Sequence, residues 1–390
     1  MTTTVRTRVA IVGAGPAGLV LSHLLASSGI DSVILDQRSR ADIEQTIRAG
    51  ILEQGTVDLL ATIDGSRVHT VGQRHDGIEL RFEGEGHRID FPGLAGRSVW
   101  LYPQHEALKD LLAARIGAGQ DIRFGVTATA VEGADGDRPR IVAVDDAGVP
   151  FEVEADFVVG ADGSHSVVRK AISGSHGGFF REYPFAWFGI LCEAAPSAEE
   201  LIYSNSPDGF ALVSQRSATV QRMYFQCDPT ADADALSEAQ IWETLQRRVP
   251  GTTLVEGRVF QRDVLRFRSF VARDLRRGRV AIVGDAAHTV PPTGAKGMNL
   301  AVADVILLAR ALEALLLRSD EAPLDGWAEA ALVRIWKAQH FSWWMTSMLH
   351  VAPEASEFDR RRQLGELRSV VSSEAGRTYL AEGYTGWPLG

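Results

Sequence analysis

The sequence predicts an α/β (α+β) chain: a Rossmann-like domain, an antiparallel β-sheet domain inserted into it, and a helical C-terminal tail. Three observations carry that reading. Near the start, the turn Gly13-Ala-Gly15-Pro-Ala17-Gly18 sits between an apolar strand-like run and an amphipathic stretch. Between about Tyr183 and Phe267 the texture changes to apolar–polar alternation of period two. Late in the chain the apolar run Arg279–Val283 restores the first pattern, followed by a Pro/Gly loop and a long apolar stretch from Met298 to Leu317.

At 390 residues the chain is long for a single core, so two domains and a small appendage are expected. The boundaries fall at 1–180 for the first part of the Rossmann-like domain, with a small β excursion near 76–100. The inserted sheet spans 181–268, the return segment 269–349 and a helical, interface-forming tail 350–390. Hydrophobic content of 45% and 23% charged residues describe a globular protein, and a net charge of -10 argues against a nucleic-acid partner. The cysteines, Cys192 and Cys227, form no CxxC pair, which excludes a disulfide scaffold, a zinc ribbon and a dithiol reductase. Both are expected as buried thiols in a reducing compartment. No signal peptide precedes Val9 and no apolar run has spanning length, so a cytoplasmic location is expected.

Taken in order, Val9–Val12 is a buried strand that feeds the glycine turn. Gly13 permits the tight turn, Gly15 lets backbone approach a pyrophosphate, and Gly18 lets helix and strand pack closely, with Ala17 between them. A second strand, Ser32–Leu35, ends in Asp36, an acceptor suited to ribose hydroxyls. Thr46 to Ile51 opens a helix that runs to Leu60. His75 then lies in a loop before the strands Ile78–Phe82 and His87–Ile89. Gln104 to Arg115 reads as a helix, and strands fill Ile122 to Ala155. The strand Asp156–Gly160 ends in the turn Asp162-Gly163, with His165 and Arg169 beyond it.

Within the inserted sheet, Ser214 and Arg216 are two apart on one strand and share a face, while Tyr203 and Tyr224 lie on flanking strands. An arginine fork with a serine hydroxyl and a tyrosine makes a carboxylate clamp. The bland alternatives are a surface ion pair for Arg216 and a solvated loop residue for His75. After Val283, Asp285 stands where the strand ends. The loop with Pro291, Pro292, Gly294 and Gly297 then delivers a helix start. Strand end, loop and helix start place free N–H groups at one point, which suits a pyrophosphate or a ring that becomes anionic on reduction. Alone it reads more readily as an ordinary β-loop-α connection. The tail is helical and aromatic (Trp336, Phe341, Trp343, Trp344), and its tryptophans read as core or dimer packing.

The early GxGxxG, the mid-chain Asp-Gly turn and the late Gly-Asp-Ala-Ala-His form a set that resembles the FAD-dependent aromatic hydroxylases, the single-component flavoprotein monooxygenases. The resemblance runs nearly end to end. It is most specific at Ile47–Gly55, Ser214–Thr219, Gly284–Leu300 and Phe341–Ser347, and within the family it points to hydroxylases of 4-hydroxybenzoate. It implies FAD lying extended between the Gly13–Gly18 turn and the Met298 helix. Asp36 (often Glu in the family) would hold the ribose, and Arg48 and Gln104 the pyrophosphate and flavin flank. Asp285 would hold the ribityl chain, and Thr46, Ile47, Ala49, Gly50, Ile51, Gly297, Met298 and Asn299 would line the cofactor.

It further implies that Arg216, Ser214 and Tyr224, with Gln215 beside them, grip the carboxylate. The substrate phenol would meet Tyr203 and the Pro292 carbonyl, and its proton would pass through Tyr384 and His75 to solvent. NADH or NADPH would supply electrons, with Arg38, Arg48, His165 and Arg268 at the nicotinamide cofactor, and the family suggests a homodimer. Gln37–Thr46 carries no net charge and no tyrosine, which predicts that NADH serves at least as well as NADPH. The alternatives are a sister hydroxylase of an aminobenzoate or 3-hydroxybenzoate, and a non-hydroxylating flavin redox protein.

Overall fold

In the computed structural model, which describes residues 3–46, 50–64, 67–173 and 177–389, two eight-stranded sheets divide the work. The first is built on the strand Thr3–Val12, whose residues Val9, Ala10 and Ile11 are fully buried. It pairs in parallel with Pro150–Gly160 on one side and Ser32–Asp36 on the other. Val280–Ile282 then adds in parallel beyond Pro150–Gly160, and Ile122–Phe124 beyond Ser32–Asp36. Parallel strands need crossovers that cover the faces, so these runs read as continuously apolar. The helices Pro16–Ser27 and Gly297–Arg318 pack against one another over this sheet.

The second sheet runs in the order His288–Thr289, Arg258–Ala272, Gly178–Glu193, Val220–Cys227, Gly209–Ser217, Leu201–Ser206, Gly77–Phe82, Glu85–Asp90. All its pairs are antiparallel except Leu201–Ser206 with Gly77–Phe82. The expected excursion near 76–100 therefore extends the second sheet, and the insertion's strands reach from Gly178 to Ala272. Local alternation showed that strands exist there; only long-range pairing shows whose edge they complete.

Smaller differences have local causes. The segment expected as one helix from Thr46 to Leu60 is instead a short strand, Ile51–Glu53, followed by the helix Gln54–Asp64. Pairing of Ile51 with Leu101 overrides the helical propensity. His75 ends a strand, Gln73–His75, and is 2% exposed, so it is no solvated loop residue. Cys192 is buried as expected, whereas Cys227 is half-buried. The tail folds into the helices Ala322–Leu349, Glu357–Ser372 and Glu374–Thr385. Leu367, Leu380 and Tyr384 from these helices join one apolar cluster with Tyr203, Phe210 and Tyr224 of the second sheet. No helix of the described residues is long and apolar enough to cross a membrane.

Candidate active site

The first motif and the late one meet. A Cβ built on Gly284, whose φ is +59°, would stand 3.3 Å from the Cβ atoms of both Ala17 and Ala301, so the Gly284 loop is wedged between the two nucleotide-side helices. The three motif glycines divide their roles. At Gly13, φ is +106° and a Cβ would lie 2.3 Å from the Ala161 carbonyl, so only glycine fits. At Gly18 a Cβ would lie 2.0 Å from the Gly13 carbonyl. At Gly15 it would meet nothing within 4 Å, and the helix that follows has no side-chain cap. Open space in front of an uncapped helix start is a cradle for an anion.

The helix Gly297–Arg318 offers a second such point. Its first intrahelical bond runs from the Leu300 N–H to the Lys296 carbonyl, it has no side-chain cap, and a Cβ on Gly297 would meet nothing. The loop before it is pinned from behind by the helix Ala322–Leu349. Gln339 donates to the Thr289 carbonyl at 2.7 Å, Thr346 donates to Thr293 at 2.9 Å, and Ser342 fills the space a Gly294 side chain would need. Asn299 spends its side chain on the protein, donating to the carbonyls of Ile51 and Ala295 and accepting from the Glu53 N–H. It contributes to this corner by fixing the strand Ile51–Glu53.

Gly50 lies against the Tyr102 carbonyl, and Gln104 opens the helix Gln104–Gly117 next to it. Met298 is half-buried in the first turn of its helix, Thr46 bonds back to the Asp42 carbonyl, and Asp285 stands in a tight turn of Gly284–Ala286. Ile47, Arg48 and Ala49 lie outside the described residues. These features fit FAD: two open helix starts, a glycine cradle and, among the described residues, no side chain that fills them.

Asp36 departs from the simple expectation. Its Oδ1 accepts from the Arg38 N–H (2.8 Å) and Nε (3.0 Å), and its Oδ2 from the Ala14 N–H (2.7 Å) and Arg38 Nη2 (2.9 Å). Both oxygens are doubly used, so Asp36 reaches a ribose hydroxyl only as Arg38 lets go. Arg40 likewise pairs with Glu44 at 2.6 Å, and Asp42 caps the short helix at Ser39. Arg268 donates to Ser164 at 3.0 Å on the surface, beside His165.

The second sheet supplies the other wall. Register places Tyr203 opposite Leu212, Leu212 opposite Tyr224, and Ser214 opposite Arg222, so Tyr203, Tyr224 and Ser214 share one face. Tyr224 has room because the strand beside it carries Gly189, where a Cβ would lie 2.8 Å from the tyrosine ring. Arg216 interacts with the Tyr224 hydroxyl; burial lowers its pKa, and its Nε is sealed from solvent without a partner among the described residues. Such a cation is stabilised by an incoming anion. The Ser214 hydroxyl donates to the Arg222 carbonyl at 2.7 Å and must rotate to donate elsewhere.

Tyr203 and Tyr384 meet oxygen to oxygen at 2.6 Å, both about 1% exposed. Burial pushes both phenols above the ordinary tyrosine pKa, so each stays a neutral donor and acceptor. The Pro292 carbonyl accepts from the Ala295 N–H at 3.0 Å and keeps a second lone pair. His75 is brought to Gln215 at 3.0 Å rather than directly to Tyr384. The Gln215 amide also donates to the Glu199 carbonyl. With Gln215 donating, His75 is neutral and carries its proton on Nδ1, a buried atom without a partner among the described residues. Burial lowers the pKa of His75, against the raising influence of Glu200 and Asp76.

Sequence reasoning missed two residues here. Lys296, 2% exposed, donates to Glu53 at 2.7 Å and to the Tyr384 carbonyl at 2.8 Å, tying the tail to the loop. Its signal was a lysine set between small residues in an otherwise apolar loop. Arg222 pairs with Asp263 at 2.6 Å and stacks over the Tyr224 ring, 4.8 Å from its centre. Alternation alone gave no sign of it.

A Rossmann-like half with two open helix starts, joined to a sheet that carries Tyr203, Tyr224 and the half-buried Arg216, defines a flavoprotein aromatic hydroxylase. Residues 6–342 match the family described as FAD binding domain, and the chain belongs to it. Among relatives, p-hydroxybenzoate hydroxylase of Acinetobacter baylyi is 41% identical over 392 residues, covering 99% of this chain and 96% of that protein. A probable NADH-specific resorcinol 4-hydroxylase of Rhodococcus jostii is 27% identical, covering 81% of this chain and 61% of its own length. In fold the chain is like p-nitrophenol 4-monooxygenase from Pseudomonas putida DLL-E4, with a TM-score of 0.81 at 22% identity and full coverage of both chains.

Proposed function

We propose that this protein hydroxylates 4-hydroxybenzoate to 3,4-dihydroxybenzoate, consuming O2 and NADH or NADPH. The observation that carries the reading is the Tyr203–Tyr384 hydroxyl pair, on the sheet face that also bears Ser214 and Tyr224. An arginine at one end and a phenol relay at the other match a ring with a carboxylate para to a hydroxyl. FAD, when bound, supplies the two-electron chemistry and the activation of O2.

The chain's own residues do the rest. Arg216 and Tyr224 anchor the carboxylate and so fix the ring's direction. Tyr203 accepts the substrate's phenolic proton while its own moves to Tyr384, which raises electron density on the ring. Gln215 holds His75 through Nε2, so His75 takes up the relayed proton at Nε2 once Gln215 lets go, and releases the proton it carries on Nδ1. The apolar cluster of Phe210, Phe341 and Leu380 keeps water from the ring.

The reductant side favours NADH. A 2′-phosphate wants arginines without a competing carboxylate, and here Arg40 is held by Glu44. We place the protein in the cytoplasm as a homodimer, with Val333, Trp336 and Trp343 of the helix Ala322–Leu349 exposed for contact; sedimentation velocity tests the assembly. The function is tested by following NADH oxidation with 4-hydroxybenzoate and identifying the product. Oxidation that proceeds equally fast without an aromatic acid overturns the hydroxylase reading. A tenfold preference for NADPH in kcat/KM, about 1.4 kcal/mol, overturns the reductant reading.

A further inference from the structure

The buried pair His288–Asp304 takes no part in the chemistry above. Asp304 lies in the second turn of the helix Gly297–Arg318, 2% exposed, and His288 is 1% exposed. One oxygen of that carboxylate, Oδ2, accepts from the Gly284 N–H at 3.0 Å and from His288 Nε2 at 2.5 Å. Gly284 and His288 are the two ends of the five-residue loop that presents Asp285. Gly284 is in the left-handed region, and the loop is closed internally by the Ala287 N–H on the Gly284 carbonyl at 2.8 Å. His288 is further held by pairing of its strand with Phe270 and Val271. Burial alone would lower the His288 pKa, but the bonded Asp304 carboxylate outweighs it and holds the imidazole above its ordinary value, with Asp285 adding to the effect. The pair is thus biased toward an imidazolium on a carboxylate. Arg334 also lies within electrostatic reach of Asp304.

Buried ion pairs add little net stability, because desolvation offsets the attraction; their best-attested use is to specify one arrangement. We propose that Asp304 and His288 are positioning residues that set the Gly284–Asp285 turn for FAD, a role that rests on the FAD reading of that turn. A carboxylate oxygen accepts two hydrogen bonds in fixed directions. Asp304 therefore ties the loop's two ends to the same helix whose open start faces the cofactor, so loop and helix present themselves to FAD as one rigid unit.

The experiment removes FAD from purified holoenzyme and titrates it back by flavin fluorescence, with the reduction potential of the bound flavin measured in parallel. His288→Gln keeps a donor near Nε2 and His288→Leu removes it. FAD affinity of the glutamine variant is expected within about threefold of the parent. In the leucine variant it falls about tenfold or more, the effect of losing one charge-assisted hydrogen bond, with a shifted potential. Asp304→Asn should weaken FAD at least as much as His288→Leu. If it fails to fold, the two His288 variants decide. A purely structural role would lower the melting temperature of both His288 variants and leave FAD affinity alike in each. Equal affinities in the two, whether both unchanged or both reduced, overturn the proposal. A parent protein that takes up no FAD would sink the flavin reading instead.

Discussion

The two halves of the active site are made of different material. On the nucleotide side the groups that we propose meet the cofactor are backbone: the Gly13–Gly18 turn, the open helix starts at Pro16 and Gly297, and the Gly284 loop. On the sheet side the groups that we propose serve the substrate are side chains, namely Tyr203, Tyr224, Arg216 and, from the tail, Tyr384. A pyrophosphate is common to many reactions, and N–H groups at a helix start recognise it without using a side chain. A para-hydroxylated acid is particular, and needs a fork at one end and a proton relay at the other. Mutations should therefore separate the two halves.

The largest separation is expected at Tyr203. Tyr203→Phe should cut hydroxylated product per NADH consumed by about 10²-fold or more, the scale of general acid–base catalysis, while FAD affinity stays unchanged. Product yield and peroxide release, measured together, check this; normal coupling removes the relay argument. Next comes Arg216→Lys, which replaces a fork by a point charge and should raise the KM for 4-hydroxybenzoate roughly 30-fold, about 2 kcal/mol. Steady-state kinetics decide it, and an unchanged KM places the carboxylate elsewhere.

On the nucleotide side, Gly15→Ala meets no protein atom within 4 Å. The apoprotein should melt as the parent does, while FAD affinity drops about tenfold as the added methyl enters the cradle. Gly13→Ala, in contrast, should destabilise the apoprotein itself, because its Cβ would strike the Ala161 carbonyl. Melting temperatures of the two apoproteins are enough, and equal values contradict the division of roles among the glycines.

The smallest effect concerns pH. His350 accepts from Trp187 Nε1 on Nε2 at 2.6 Å and donates from Nδ1 to the Thr346 carbonyl, stacked among Phe185 and Phe210. Burial, with Arg248 nearby, lowers its pKa from 6.5 to about 3. The native state refuses a proton that the unfolded chain accepts, so this contribution is present above about pH 6.5 and is lost as pH falls. Between about pH 7 and pH 6 the loss is under about 1 kcal/mol. His350→Phe should flatten that slope in urea titrations at the two pH values; an unchanged slope assigns the acid sensitivity to another group, such as His75.

Much of the nucleotide half was legible in the sequence, because its signals are local. Gly13, Gly15 and Gly18 sit within six residues, and the strand before and the helix after them follow from contiguous apolar patterns. The helix from Gly297 and the loop ahead of it follow for the same reason. The proposed carboxylate clamp was partly legible, since the spacing of Ser214 and Arg216 predicts a shared face, although the ladder shifts register between Gln215 and Ser217. What the sequence could not decide is anything that depends on which strand lies beside which. Residue patterns do not bring Tyr384 to Tyr203, 181 positions away; the resemblance implied that meeting and the tertiary structure makes it, as it carries Gly77–Phe82 to the second sheet. It also turned His75 toward Gln215, closed Asp36 with Arg38, and gathered Gly284 and His288 onto one oxygen of Asp304. Periodicity fixes the face a residue takes on its own element. Partners across elements are chosen by the packing of the whole chain, where burial leaves each polar group few places to go.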